Sequence, residues 1–212
     1  YDGDRFMDLY ISNYQGPNRL YRNNGDGTFS ETTSPVIDDE NGKGSAIGDY
    51  DNDGDMDLFV ANRGQPDQLY RNNANGTFSD VAPDVGIDYP QNEFPANSEG
   101  VAWGDYDNDG DADLFLANLS RTNPLYRNDG DGTFIEVTRD SGIILDRKYI
   151  GAFWTDLDND GDLDLHVTTV ESPNLLYINN GNGTFSNEGD PFKHKQRGRR
   201  SRQQQRRSHR RL

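Results

Sequence analysis

No cysteine occurs in the 212 residues, so neither disulfides nor a zinc–thiolate centre can hold this chain together. Apolar residues make up only 31%, little for a domain of this length, and no run of them approaches the ~20 residues of a membrane-spanning helix. Histidine is scarce: His194 and His209 lie in a basic C-terminal stretch, and His166 sits in a strand slot that Tyr10, Phe59 and Phe115 fill elsewhere. There is no Gly-x-Ser-x-Gly elbow and no phosphate-cradling glycine loop, so catalysis is not expected. No secretory leader is visible. The chain begins inside a repeated motif without an initiator Met, so its natural start is expected upstream.

Negative charge is what the chain has in excess. The net charge is −16, yet residues from Asp190 onward carry ten Lys or Arg against one Asp. The preceding 189 residues hold 36 acidic and 11 basic side chains, a balance that repels nucleic acid and anionic membranes and attracts cations. Glycine (23), tyrosine (11) and phenylalanine (10) are plentiful, which suits short strands joined by tight corners.

Those residues fall into repeats. Acidic turns aligned on Asp2, Asp51, Asp107 and Asp158 are offset by 49, 56 and 51 residues. Two further markers keep the same offsets: Leu20-Tyr21-Arg22-Asn23 with its counterparts at Leu69, Leu125 and Leu176, and Gly27-Thr28-Phe29 with those at Gly76, Gly132 and Gly183. Within the second repeat, Gly44–Gly48, Leu58–Ala61, Gln68–Arg71 and Thr77–Val81 read as strands, the third and fourth joined by an Asn/Gly hairpin turn. Four short antiparallel strands per repeat predict an all-β chain of β-propeller blades, over about 1–43, 44–99, 100–150 and 151–189. Residues 190–212 are expected to be a disordered basic tail: a solvated extension, a sequence artefact, or an arm that binds RNA, DNA or another anion.

The acidic turn carries the chemistry. In Asp49-Tyr50-Asp51-Asn52-Asp53-Gly54-Asp55-Met56-Asp57, side chains at positions 1, 3, 5 and 9 and the carbonyl of position 7 can converge, with glycine at position 6 making the reversal. The predicted ligands are Asp49, Asp51, Asp53, Asp55 and Asp57; then Asp105, Asp107, Asp109, Asp111 and Asp113; then Asp156, Asp158, Asp160, Asp162 and Asp164. All-oxygen coordination of this charge selects Ca2+. An EF-hand is excluded, because Val60, Leu116 and Val167 stand where its glutamate belongs. The first copy keeps Asp2, Asp4 and Asp8 but has Arg5 in the glycine slot, so it predicts a weak site.

Residues such as Gly48-Asp49-Tyr50-Asp51-Asn52-Asp53-Gly54-Asp55-Met56-Asp57-Leu58 resemble the FG-GAP repeat of integrin α-subunit propellers. The Leu-Tyr-Arg-Asn and Gly-Thr-Phe markers are similar to VCBS repeats and to the cartilage acidic protein family. The resemblance covers about residues 1–188 and implies a calcium-binding propeller, extracellular, periplasmic or on the cell surface, used for adhesion or recognition. Integrin propellers have more blades than the four visible, so a fragment of a larger ring is expected.

Antiparallel order puts the acidic and Asn/Gly turns at one end of each blade and the Pro-bearing loops and crossovers at the other. A protein or glycan partner is therefore expected on the face opposite the calcium loops. Tyr89, Asn92 and Phe94, in the longest crossover, are candidate contacts, although a merely tolerated insertion is the more economical reading of that segment. The alternative to protein recognition is a lectin using Tyr14, Tyr89, Phe94 and Trp103.

Overall fold

The structure is a computed structural model that describes residues 1–32, 41–87, 97–119, 122–144 and 147–189. The basic tail and Tyr89, Asn92 and Phe94 lie outside the described residues.

The strands are β1 (Leu9–Ile11), β2 (Arg19–Asn23) and β3 (Phe29–Glu31); β4 (Gly42–Gly48), β5 (Asp57–Asn62), β6 (Gln68–Asn72) and β7 (Phe78–Asp80); β8 (Ser98–Gly104), β9 (Asp113–Asn118), β10 (Leu125–Asn128) and β11 (Phe134–Glu136); and β12 (Tyr149–Thr155), β13 (Asp164–Thr169), β14 (Leu175–Asn179) and β15 (Phe185–Gly189). They form one three-stranded and three four-stranded antiparallel sheets, each in sequence order. Strand β4 starts two residues before the predicted Gly44, and the first strands of the three four-stranded sheets share one irregularity. There the ladder shifts register, between Gly42 and Ser45, Ser98 and Gly100, and Tyr149 and Gly151. Such a bulge has no signature in an apolar pattern. A one-turn helix, α1 (Thr138–Ser141), was also not predicted; Thr138 Oγ1 accepts the Leu125 N–H at 2.8 Å and ties it to β10.

Each sheet packs on the next. Strands β5 and β9 are buried along their whole length, because neighbours flank them in the sheet and further sheets cover both faces. Alternate residues serve alternate neighbours: Leu58, Val60 and Tyr70 pack with Tyr10, whereas Phe59, Ala61 and Leu69 pack with Leu114 and Leu116. Glycine brings the first strands together. A Cβ on Gly44 would lie 2.7 Å from the Glu99 carbonyl oxygen, and one on Gly100 would lie 2.9 Å from the Gly151 Cα. Further along, Gly48 and Gly104 leave room for the indoles of Trp103 and Trp154. Trp103, half-buried, meets Phe59 edge-on at 6.3 Å and lies against the core.

Substituting Gly100→Ala is expected to cost about 1–3 kcal/mol by forcing β8 and β12 apart. Gly16→Ala, where nothing lies within 4 Å, serves as the neutral control. Urea unfolding of both variants measures the difference.

Candidate metal centre

The acidic turns are built by their own backbone. Asp49 Oδ2 accepts the Gly54 N–H at 3.0 Å, as Asp105 Oδ2 does from Gly110 and Asp156 Oδ2 from Gly161. Position 5 caps position 7: Asp53, Asp109 and Asp160 each accept the N–H two residues on. The sixth residue has φ of +92° to +97° in all three turns, which glycine adopts without strain. In the first turn Arg5 holds φ +75° in that slot.

Three groups of carboxylates converge, with oxygens within 4.8 Å of one another: Asp49, Asp51 and Asp53; Asp105, Asp107 and Asp113; Asp156, Asp158 and Asp164. The membership differs from the predicted set. Asp55, Asp111 and Asp162 were expected to offer carbonyls, and two of their side chains have other work. Asn52 Nδ2 donates to Asp111 at 2.6 Å, and Asn108 Nδ2 donates to Asp162 at 2.7 Å. Asp109 and Asp160 stand outside the converging trios of their turns, as does Asp57 in the second repeat.

Position 9 has a structural task that spacing alone does not reveal. Asp57 is fully buried and accepts two backbone N–H groups, from Tyr50 at 3.1 Å and from Asn72 at 2.8 Å. Asp113 does the same with Tyr106 and Asn128, and Asp164 with Leu157 and Asn179. Each therefore clamps the start of its turn to the third strand of its own sheet. Burial pushes the Asp57 and Asp113 carboxyls up to about 7, opposed by those same N–H donors. Burial, then the charge of the neighbouring carboxylates, also raises Asp51, Asp107 and Asp158.

The donor set fits a hard divalent cation. Every ligand atom is oxygen, and the buried oxygens Asp49 Oδ1, Asp51 Oδ1 and Asp107 Oδ1 accept no hydrogen bond. Buried carboxylate oxygens need a partner, and here the partner that fits is positive. In the first turn a side chain supplies that charge. Arg22 lies 2.6 Å from Asp2 and 3.0 Å from Asp4, while Asp8 accepts the Tyr1 amino terminus and the Asn23 N–H. Asp2 and Asp4 are thus held together by one arginine, and among the described residues Asp2, Asp4 and Asp8 are not one of the converging trios.

The opposite end of the sheets carries the loops that follow β5 and β13. There Asp67 is buried, accepting the Asn62 N–H and the Ser98 hydroxyl across to the third sheet, and burial pushes its carboxyl up to about 6. Arg63 pairs with Glu99. The exposed Tyr14 ring carries the Lys43 ammonium 3.6 Å from its centroid. His166, half-buried in β13, lies beside Phe153 with ring centroids 4.6 Å apart and the planes tilted by 36°.

Residues 1–60, 49–116, 105–167 and 156–199 each match the FG-GAP-like repeat family, and the chain belongs to it. Among individual proteins, the chain is similar to cartilage acidic protein 1: 31% identical to the human protein and 32% to the mouse protein, over 192 residues. The matched part is 85% of this chain and spans 29% of the length of those relatives.

The raised carboxyls fix the direction of a pH effect. Asp57 and Asp113 titrate near 7 when folded and near 3.9 when unfolded, so the folded chain gains protons between those values. Their contribution to stability is complete below about pH 4 and is lost as the pH rises through about 7. In the presence of a chelator, the melting temperature is expected to fall from about pH 4.5 to 7.5. A flat or rising profile over that range contradicts the assignment.

Proposed function

We propose that this chain is a calcium-rigidified scaffold for adhesion or protein–protein recognition outside the cell. Its sheets are read as blades of a propeller, supported by their repeated packing through the glycines of β4, β8 and β12. The observation that carries the calcium reading is the triple convergence of carboxylates, with buried oxygens that no donor satisfies in the second and third turns. Asp49, Asp51 and Asp53, then Asp105, Asp107 and Asp113, then Asp156, Asp158 and Asp164, would hold Ca2+. The ion would supply positive charge that cancels their repulsion and fixes the turn between two strands of a sheet.

Calcium sites in extracellular modules bind at about 0.1–1 mM, which supports a location where calcium is abundant. Among the described residues no helix is long and apolar enough to cross a membrane. A binding role rather than catalysis is supported by the commitment of the aspartates to three similar turns. A recognition surface on the end opposite the acidic turns is supported by the gathering of Tyr14, Lys43 and Arg63 there. Protein recognition is favoured over a lectin because the half-buried Trp103 packs one side against the core and the Tyr14 face already carries a lysine.

Equilibrium dialysis against calcium is expected to give three ions per chain. Asp51→Asn, Asp107→Asn and Asp158→Asn should each remove one, while Asp4→Asn leaves the count unchanged. Immobilised chain should retain a matrix or cell-surface protein in calcium and release it on chelation. No bound ion overturns the calcium reading; no calcium-dependent capture overturns the recognition reading.

A further inference from the structure

Successive acidic turns are joined by two polar links that cross from one sheet to the next. The first uses position 4 of the turn. Asn52 stands between Asp51 and Asp53, and its amide donates to Asp111 in the following turn. Asn108, between Asp107 and Asp109, donates to Asp162 one sheet further on. Both asparagines hold left-handed backbone, at φ +57° and +60°, which aims the amide outward from its own turn.

The second link runs through the third strand of the following sheet. Asn128 Nδ2 donates to the Tyr50 carbonyl at 2.7 Å, while its backbone N–H donates to Asp113 at 2.9 Å. Asn179 repeats this between the Tyr106 carbonyl and Asp164. Each joint thus ties the entry of one turn to the buried carboxylate of the next. The joint between the first and second turns is incomplete. Asn72 reaches the Tyr1 carbonyl, but Gly3 occupies position 4 and has no side chain to send across.

We propose that the second, third and fourth turns bind calcium cooperatively, coupled through Asn52–Asp111 and Asn108–Asp162. The inference rests on the calcium reading above. Drawing Asp51 and Asp53 round an ion orders Asn52 between them. Asn52 in turn holds Asp111, whose backbone belongs to the second half of the next turn. The next ion then meets a turn that is already partly ordered, so it loses less conformational freedom on binding. The influence is reciprocal, because a coupling free energy acts equally on both sites.

Calcium titration of the 212-residue chain by isothermal calorimetry, with the ion count from dialysis, tests this. Wild type should show a Hill coefficient of about 1.5 or above, reflecting coupling of about tenfold between neighbouring turns. The pair Asn52→Gly with Asn108→Gly removes both amides without straining the backbone, as Gly3 does in the first turn. It should return the coefficient to about 1 while leaving three ions bound. Asn159→Gly is the control: it makes the same change in the fourth turn, where no cross-sheet hydrogen bond from that side chain exists among the described residues. It should keep the cooperativity. Three ions bound independently by wild type, or cooperativity that survives the double substitution, overturns the proposal alone. No ion bound overturns the calcium reading together with it.

Discussion

Crowded negative charge is the constraint on which the rest of the structure depends. Three carboxylates with oxygens inside 4.8 Å of one another repel by about 3 kcal/mol per pair at an effective dielectric near 20. A turn built this way is unfavourable by itself and becomes favourable when a cation enters. The first turn illustrates the alternative: Arg22 reaches Asp2 and Asp4 and neutralises them from within the chain. Its counterpart in the third repeat, Arg127, pairs with Asp129 and acts on Asp107 only through space, so the compensation there is weaker.

Around each charged turn, neutral donors do the positioning. Backbone N–H groups hold the first, fifth and ninth aspartates, and asparagine amides join one turn to the next. The ninth aspartate is the pivot, because it is buried and grips both the start of the turn and the third strand. Charge at the turn is therefore transmitted to the sheet, and from each sheet to its neighbour. At the opposite end a second set of contacts, through Asp67, Ser98, Arg63 and Glu99, joins the second and third sheets. The sheets are thus tied to one another at both ends, through the turns at one and through these side chains at the other.

Much of this was legible in the residues. The offsets of the acidic turns located the repeats, and runs such as Leu58–Ala61 located the buried second strands, because both signals are local. What escaped depends on contacts between distant residues. Asn52 looks like ordinary turn chemistry until Asp111, 59 residues away, is placed beside it. Asp57 has the spacing of a ligand, and spacing cannot show that its two oxygens face backbone donors. Trp103 reads in sequence as a candidate sugar-stacking aromatic, and the close approach at Gly48, which lets its indole pack against the second sheet, has no local signal. Arg22 carries the same Leu-Tyr-Arg-Asn marker as Arg71, yet its reach to Asp2 is set by how the first turn closes.

The central claim is that cation binding in the acidic turns stabilises the sheets. Its most direct test is thermal unfolding at neutral pH with about 1 mM calcium and with a chelator. At ten times its dissociation constant, each ion contributes about 1.4 kcal/mol, so three sites should raise the melting temperature by about 10 °C. A midpoint that is the same in calcium and in chelator contradicts the account.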